Sequence, residues 1–337
     1  MFKVSIVIPT FQRSNSLKRS LAALTKQTFP PDEFEVIVSI DGSTDGTKEI
    51  VENFESPYRL RYICAPNSGR SAARNRGINE AGGEVLIMID DDLEPSPKFI
   101  EAHYSAHASA PRLGVLGAAP IFVDESSDPT TIYLAEEFNS RLDEKMSDPN
   151  YRFGIWDFYS GNFSIHLEDI RKVGGFNESF KIYGYEDIEL AQRLINAGIK
   201  IVYNHDALCT QHCDEDFRSI ARKTIAAGKS AVLLVTLHPE AIKELKFREY
   251  YFTGWKWRSL RLTLIWSSIL IPSITDIVIY LVKIFEKSNP KTGKVLYSLA
   301  LDYFFWLGVW SAIKSDKKND HLISKIKAFQ KYQSPAS

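Results

Sequence analysis

Acidic side chains in this sequence lie directly after apolar segments, where the chain would leave a buried strand. Residues 85–89 are apolar, and Asp90, Asp91 and Asp92 follow them directly. Three adjacent carboxylates repel one another unless a cation lies among them, and hard divalent ions favour carboxylate oxygens together with substrate phosphates. If the strand period continues, Asp90 and Asp92 face one site. The alternative is a solvated acidic turn that caps the helix near Pro97.

Two further segments have residue types that suit a nucleotide. Asp41 ends another apolar segment and opens the turn 41–46, whose glycines allow close approach of a ligand. Residues 67–75 begin a helix with small residues and two arginines, and both helix N-termini and guanidinium groups suit phosphate. A plain turn and close helix packing are the respective structural alternatives.

Acid–base and metal chemistry have candidates in the second half. Glu186 and Asp187 open an amphipathic helix. Acidic residues are common there because of the helix dipole, but an attacking hydroxyl also needs a base, and a carboxylate serves. Cys209, His212 and Cys213 lack a second half with zinc spacing, so His212 as a single ligand to a metal held by Asp92 is favoured over zinc.

Apolar segments alternate with segments of helical spacing through residues 1–115. The predicted strands are 4–8, 34–40, 60–64 and 84–89, and the predicted helices are 14–27, 47–54 and 71–81. Such apolar runs are typical of parallel strands covered on both faces. The alternation predicts an open, mostly parallel α/β sheet with ligands at the carboxyl ends of its strands, where Asp41 and residues 90–92 lie.

Composition limits the partners and the compartment. The 41 Lys and Arg against 42 Asp and Glu give a net charge of -1, without the basic excess of a nucleic-acid-binding protein. Three cysteines do not make a disulfide framework, which favours a reducing compartment. The N-terminal residues do not have a signal-peptide pattern, because Pro9 ends a short apolar run. We therefore expect a cytoplasmic protein.

The C-terminal region changes in character and favours association with a membrane. Five of the six tryptophans lie at or after residue 255, and the segments 262–282 and 296–313 are almost free of charge. The first segment spans a bilayer, lies at the interface as a helix or hairpin with basic residues on anionic lipid, or packs as part of a helical pair on the catalytic domain. Pro272 and neighbouring polar residues favour the interfacial alternative, at the cytoplasmic face.

The motifs, taken in order, resemble those of the family 2 glycosyltransferases with the GT-A fold. The resemblance covers residues 3–215. It rests on residues 4–11, 41–45, 67–77, 90–92 and 160–162, the Gly-Gly-Phe run at 174–176, and Glu186-Asp187. It implies a GT-A type α/β fold with an open, mostly parallel sheet flanked by helices, followed by a C-terminal hydrophobic helical region. The expected domains are 1–235, divided into a nucleotide-binding half (1–115) and an acceptor half (116–235), and 236–337, with a polar excursion at 124–152.

The resemblance also implies roles on the donor side. Pro9, Thr10 and Asp41 are expected to contact the nucleoside, and Arg70 the nucleotide. Ile40 replaces the first of two aspartates that many relatives carry at this turn, which leaves the choice of base open.

The acidic motif and the acceptor half receive the remaining roles from the resemblance. Asp90 is expected to face the ribose or the metal. Asp91 stands at the variable position of the motif and is grouped with the nucleotide-sugar-binding residues without a role of its own. Asp92, with His212, is expected to coordinate Mn2+ or Mg2+. The implied acceptor-binding residues are Gly161, Asn162 and Glu186, and Asp187 is the implied general base of an inverting single displacement.

The predicted function is a hexosyltransferase that moves a sugar from a nucleotide-diphospho-sugar, foremost a UDP-sugar, to a hydroxyl of a glycan or lipid-linked acceptor in envelope polysaccharide synthesis. A nucleotidyltransferase that makes the sugar nucleotide would carry a glycine-rich basic loop after the first strand, and residues 9–13 contain no glycine. A non-catalytic membrane-associated binding protein on the same fold is disfavoured by the presence of Asp41, Asp92 and Asp187.

Overall fold

The computed structural model describes residues 2–110, 112–148, 151–213, 215–239, 241, 255–286 and 290–315. The chain divides into two compact units. The first comprises Met1–Lys181 and Glu186–Asp214, and the second comprises Ile182–Tyr185 and Glu215–Ser337. Helix α8 (Phe217–Leu237) lies in the second unit, although we predicted a catalytic domain that extends to residue 235. The domain assignment stays a prediction.

A seven-stranded mixed sheet forms the centre of the first unit. Its strands are β1 (Val4–Thr10), β2 (Phe34–Asp41), β3 (Arg59–Ala65), β4 (Val85–Ile89), β6 (Leu113–Gly117), β7 (Asn162–His166) and β8 (Lys200–Asn204), in the order β3-β2-β1-β4-β7-β6-β8. All neighbouring pairs are parallel except those that β7 makes with β4 and β6. The predicted open, mostly parallel sheet is confirmed. A separate antiparallel pair consists of β5 (Leu93–Pro95) and β9 (Cys209–Gln211).

Helices cover both faces of this sheet. The helices of the first unit are α1 (Ser14–Leu24), α2 (Thr47–Glu52), α3 (Arg70–Glu80), α4 (Phe99–Ser109), α5 (Pro129–Ser147), α6 (Leu167–Lys172) and α7 (Glu186–Asn196). Ile6 of β1 belongs to the same buried cluster as Leu17 of α1, and Val7 belongs to the opposite cluster with Ile78 of α3. Successive strand residues point to opposite faces, so β1 is buried on both sides, as its apolar sequence predicts.

The second unit is helical in its described part. It contains α8, α9 (Trp255–Leu270), α10 (Ile274–Glu286) and α11 (Pro290–Ser315). Helices α8 and α11 approach each other closely at Gly228, which has no side chain. A Cβ atom at this position would lie 2.0 Å from the carbonyl oxygen of Phe305. Tyr303, Phe304 and Val309 of α11 are fully buried. This helix therefore forms the core of its unit.

Residues 262–282 do not form a single helix, so the reading in which they cross a bilayer as one is wrong. Helix α9 ends at Leu270 and α10 begins at Ile274. Pro272 lies between them, and proline lacks the amide hydrogen that a continuing helix needs. In the described part of the chain one helical segment, Gly293–Ser315 of α11, is long and apolar enough to cross a membrane, and more than half of it is buried within the protein.

Candidate active site

The acidic segment after β4 forms a turn rather than an extension of the strand. The N–H of Leu93 donates to the carbonyl oxygen of Asp90 over 3.2 Å. The strand period therefore stops at Ile89, and Asp90 and Asp92 have different partners: Asp90 pairs with Arg74 and Asp92 with Arg13. The strand period therefore does not relate these two carboxylates, and their contact with one metal ion stays a prediction.

Arg13 and Thr10 hold the other two carboxylates of the turn. Nη1 of Arg13 lies 3.3 Å from Oδ1 of Asp91 and 2.8 Å from Oδ2 of Asp92. Oγ1 of Thr10, at the end of β1, donates to Oδ2 of Asp91 over 2.7 Å. Burial raises the pKa of Asp91 to about 6, although Arg13 opposes the shift. Asp91 thus lies on the side of Thr10, whereas Asp90 faces Arg74.

Asp41, at the end of β2, fixes the start of α3. Its carboxylate accepts from the backbone N–H groups of Ser68 and Gly69, each at 3.0 Å, and from Arg76. Gly69 has a φ of 95° and comes so close to Lys181 that a Cβ atom would lie 2.8 Å from its carbonyl oxygen. Asp41 is 4% exposed. Its contact with a base stays a prediction.

A buried arginine connects the acidic turn with the beginning of α7. Arg74 of α3 has Nη2 3.2 Å from Oδ1 of Asp90 and Nη1 3.2 Å from Oε1 of Glu186. The same Nη1 lies 3.8 Å from Oδ1 of Asp187. Burial disfavours the cation, but the three carboxylates outweigh it and raise the pKa of Arg74. Burial likewise opposes ionisation of Asp90, and the neighbouring arginines Arg74, Arg70 and Arg13 nevertheless hold the pKa of Asp90 below its usual value.

Asp187 has the position of a proton acceptor. Oγ of Ser160 donates to Oδ1 of Asp187 over 2.6 Å, and a quarter of the Asp187 side chain remains exposed. Its partial removal from water raises the pKa of Asp187 to about 6, while Arg74 and the hydrogen bond from Ser160 pull it down and the charge of Glu186 adds to the rise. A carboxylate that is ionised near neutral pH but still accepts a proton readily suits general-base catalysis.

Gly161 and Asn162 have different positions, although both were predicted at an acceptor site. Gly161 lies against the acidic turn, because a Cβ atom there would come within 2.9 Å of Oδ2 of Asp90. Asn162 is fully buried, donates to the carbonyl oxygens of Ala118 and Ala207, and bonds His103 through Oδ1. These bonds hold the side chain in place, and its contact with an acceptor stays a prediction.

The side chain of His212 is directed to Glu94 rather than to Asp92. Because β9 pairs with β5, the backbone N–H of His212 donates to the carbonyl oxygen of Asp92 over 3.0 Å. Its Nε2 lies 2.8 Å from Oε2 of Glu94. His212 is therefore adjacent to the acidic turn, and its role as a metal ligand stays a prediction.

Comparison with known sequences decides the family. The profile described as glycosyl transferase family 2 matches residues 5–174, half of the chain. The chain belongs to glycosyl transferase family 2. The predicted family, the GT-A fold and the enzyme class, a glycosyltransferase, are thereby confirmed. A second profile, described as the N-terminal domain of galactosyltransferase, matches residues 140–210, which include Ser160 and Asp187.

Individual relatives are distant, and the similarity covers only part of each of them. Validoxylamine A glucosyltransferase of Streptomyces hygroscopicus subsp. limoneus is 31% identical over 270 residues, which cover 72% of this chain and 58% of the relative. GalNAc(5)-diNAcBac-PP-undecaprenol beta-1,3-glucosyltransferase of Campylobacter jejuni is 28% identical over 55% of this chain and 58% of its own length. The chain thus spans less than two thirds of these relatives. Mannosyltransferase PcManGT of Pyrobaculum calidifontis, solved with GDP-Man and Mn2+, matches 92% of this chain and 87% of its own with a TM-score of 0.58 and 17% identity.

The donor atoms of the acidic turn fit a divalent ion that is shared with a substrate. Among the described residues no three His, Cys, Asp or Glu side chains converge as a metal-ligating group. Mg2+ and similar ions are commonly held by one or two carboxylates together with substrate phosphates, and the turn provides such carboxylates. Arg13 and Arg74 already place positive charge beside all three carboxylates of the turn, so repulsion among adjacent aspartates does not by itself require a metal.

Arg13 was not assigned a role from the sequence, and Arg74 was considered only together with Arg70, as a guanidinium group that suits phosphate. Arg70 begins α3 and is half-buried. Arg74 follows four residues later, so both side chains lie on one face of the helix. That spacing was the available signal for Arg74. For Arg13 the signal was an arginine at the carboxyl end of the first strand, where ligands of such sheets bind.

Proposed function

We propose that the chain is an inverting glycosyltransferase that moves a sugar from a nucleotide-diphospho-sugar, with UDP-sugars as the first candidates, to a hydroxyl of a glycan or lipid-linked acceptor. The observation that carries this proposal is the chain of contacts from Asp187 through Arg74 to Asp90. It joins the candidate base to the acidic turn at the carboxyl end of β4. A base and a site for the leaving diphosphate are what a direct displacement requires.

The proposed reaction is one displacement at the anomeric carbon. Asp187 accepts the proton of the acceptor hydroxyl while the oxygen forms the new glycosidic bond and the bond to the nucleoside diphosphate breaks. Ser160 and Arg74 hold the Asp187 carboxylate in place for this transfer. Attack from the side opposite the leaving group inverts the configuration.

Asp92 is the carboxylate that we propose as the main metal ligand, with Asp90 and His212 as neighbouring candidates. A bound Mn2+ or Mg2+ supplies positive charge for the leaving diphosphate. Thr10 and Asp91 meet at the end of β1, which supports a nucleoside position beside them, and Pro9, Asp41 and Arg70 complete the proposed donor side. The geometry supports Glu186 as the counter-ion of buried Arg74 more than as an acceptor-binding residue.

The proposal is tested with the purified full chain, UDP- and GDP-sugars, and Mn2+ or Mg2+. We expect donor hydrolysis that stops when the metal is chelated, and transfer to hydroxyl acceptors including polyprenyl-diphosphate-linked glycans. Asp92→Ala should remove metal-dependent nucleotide binding, with Asp206→Asn as a control at an exposed aspartate. Absence of nucleotide binding and turnover with all of these donors and metals would contradict the proposal.

We also propose that the second unit lies on a membrane surface at the cytoplasmic face. Helix α10 carries an outward apolar stripe of Ile277, Tyr280, Leu281, Ile284 and Phe285, with each side chain 45 to 65% exposed. Soluble proteins normally turn the polar face of such a helix to water. The Campylobacter relative whose name includes an undecaprenol-linked glycan agrees with a lipid-linked acceptor and with envelope polysaccharide synthesis.

The charges around α10 support a lipid partner. Lys283 of α10 pairs with Asp216, the N-cap of α8, and Asp276 of α10 pairs with Arg218 of α8, so both side chains are directed to their own unit. Residues 255–337 contain 13 Lys and Arg against five Asp and Glu, a net charge of +8 in a chain whose total is -1. A basic sequence segment that also contains an exposed apolar helix face is typical of proteins that lie on anionic bilayers.

A further inference from the structure

Arg13 provides positive charge where two carboxylates of the acidic turn would otherwise face each other. Its Nη1 lies within ion-pairing distance of both Asp91 and Asp92. The side chains of these aspartates are 7% and 14% exposed, whereas that of Arg13 is 29% exposed. The guanidinium group is therefore the counter-ion of the turn and is itself accessible to a solute.

The backbone that carries Arg13 is fixed by the neighbouring turn. Gln12 has a φ of 55°, in the left-handed region that few residues other than glycine adopt. Its side chain donates to Oγ1 of Thr44 over 2.9 Å and accepts from the Thr44 N–H over 3.3 Å. Its own N–H donates to Oγ of Ser43 over 3.0 Å. These bonds hold the strained residue and direct the next one, Arg13, over the acidic turn.

We propose that Arg13 is an exchangeable counter-ion: it neutralises Asp91 and Asp92 in the free protein and moves to the diphosphate when a divalent cation takes its place on Asp92. This inference rests on the proposed function. A guanidinium group at 2.8 Å from Oδ2 of Asp92 and a metal ion bound to the same oxygen would repel each other. A diphosphate offers the displaced guanidinium the paired oxygens that it binds well.

The exchange predicts that metal and nucleotide favour each other's binding. A metal ion alone must displace Arg13 without offering it a new partner, so its affinity is low. With a nucleoside diphosphate present, Arg13 regains an anion and the cost of displacement falls. By linkage, each ligand then raises the affinity for the other by the same factor. Arg13 would act as a positioning residue for the diphosphate and would take no part in proton transfer.

The test compares wild type, Arg13→Gln, Arg13→Lys and the control Lys18→Gln, which removes an exposed charge from the same helix α1. Electron paramagnetic resonance measures free Mn2+ in the absence of nucleotide, and calorimetry measures UDP and GDP with saturating Mn2+. For Arg13→Gln we expect Mn2+ alone to bind about tenfold more tightly and the nucleotide to bind about tenfold more weakly. Arg13→Lys should lie between, and Lys18→Gln should match wild type.

The two affinities should change in opposite directions in Arg13→Gln. A site that is merely damaged would instead bind both Mn2+ and the nucleotide more weakly. Unchanged or weaker binding of Mn2+ alone in Arg13→Gln, with circular dichroism equal to that of wild type, would overturn the inference. The Mn2+ measurement needs neither a sugar donor nor turnover. Tighter Mn2+ binding in Arg13→Gln, together with a wild-type chain that transfers no sugar, would therefore contradict the proposed function and leave the counter-ion exchange supported on the metal side.

Discussion

The guanidinium group of Arg74 and the carboxylate of Glu186 lie 3.2 Å apart, and their side chains are 2% and 4% exposed. Arg74 belongs to α3 and Glu186 to α7, and the two residues are 112 positions apart in the chain. Removal of one partner from a buried ion pair leaves a charge without compensation, which costs more free energy than the intact pair contributes. The pair therefore fixes the distance between the acidic turn and Asp187.

Loss of the Arg74 charge should destabilise the protein strongly. For Arg74→Met we expect the free energy of unfolding to fall by about 3 to 5 kcal/mol, because Glu186 stays buried without a cation. The double variant Arg74→Met/Glu186→Gln should recover a large part of this loss. Urea unfolding followed by circular dichroism measures both, and a double variant less stable than Arg74→Met would contradict the assignment of Glu186 as counter-ion.

Removal of the Asp187 carboxylate should slow sugar transfer strongly but leave binding of the donor nucleotide intact. Asp187→Asn preserves the shape and the hydrogen bond with Ser160 but cannot accept a proton. We expect kcat for transfer to fall by about 10²- to 10⁴-fold, the usual contribution of a positioned base. Nucleotide affinity measured by calorimetry should stay within about twofold, because Asp187 belongs to the acceptor side of the displacement. Activity close to wild type in Asp187→Asn would assign the base to another group.

The transfer rate should depend on the ionisation of Asp187. Burial raises the pKa of Asp187 to about 6, and only the ionised form accepts a proton. The rate should therefore be constant above about pH 7 and fall to about a tenth of that value at pH 5. Ser160→Ala removes a bond to the ionised form, so the midpoint of its pH–rate profile should move to higher pH. A midpoint that stays in place would mean that Ser160 does not act on the base.

The strand ends of this site were predictable because the signal is local. Short apolar runs mark β1, β2 and β4, and polar residues that follow such runs lie at the edge where ligands bind. The link between Arg74 and Glu186 was not predictable, because no local pattern relates residues 112 positions apart. The partners of Asn162 were not predictable for a related reason: its neighbour Gly161 lies at the acidic turn, whereas the Asn162 side chain bonds Ala118, Ala207 and His103.

The strand period also failed at the acidic turn itself. Asp90 and Asp92 would share a face only if β4 continued, and it ends at Ile89. Repulsion among the adjacent carboxylates indicated a cation between them, and arginines from the β1–α1 segment and α3 already provide positive charge there. Counter-ions from distant segments appear only when the fold brings them together.

Two buried histidines should make the first unit sensitive to acid. His103 bonds Ser164 and Asn162, and His107 bonds the same serine, each at 2.8 Å. Burial lowers the pKa of His103 to about 4 and that of His107 to about 3. Because the unfolded chain takes up protons below about pH 6.5 and the folded chain does not, stability is complete above that pH and declines toward pH 4. Each histidine should lower the free energy of unfolding by about 2 kcal/mol when the pH falls from 7 to 5.

Urea unfolding at these two pH values tests this slope. Between pH 7 and pH 5, the free energy of unfolding of His107→Asn should fall less than that of wild type, whatever the stability of the variant at pH 7. His205→Asn is the matched control, because that histidine is largely exposed. Equal slopes in wild type and His107→Asn would show that the buried ring does not control acid sensitivity.

The outward face of α10 should be required for binding to anionic vesicles. The triple variant Ile277→Ser/Tyr280→Ser/Ile284→Ser keeps the charges and the inward residues Ile279 and Val282, which are 6% and 4% exposed. If the stripe inserts among lipids, the loss of three apolar side chains should lower partitioning by about tenfold or more. Co-sedimentation with vesicles of phosphatidylcholine and phosphatidylglycerol measures this, and added salt should weaken wild-type binding because the basic charges are screened.

The control for this experiment replaces exposed apolar residues of the first unit. Ile132 and Ile195 are 37% and 36% exposed, and Ile132→Ser/Ile195→Ser should bind vesicles like wild type. Neutral phosphatidylcholine vesicles should bind less protein than anionic ones, since the net charge of residues 255–337 is +8. A wild-type chain that stays in the supernatant with every vesicle would remove the lipid surface as the partner. A dimer that dissociates in the triple variant would instead assign the stripe to contact between two copies of the chain.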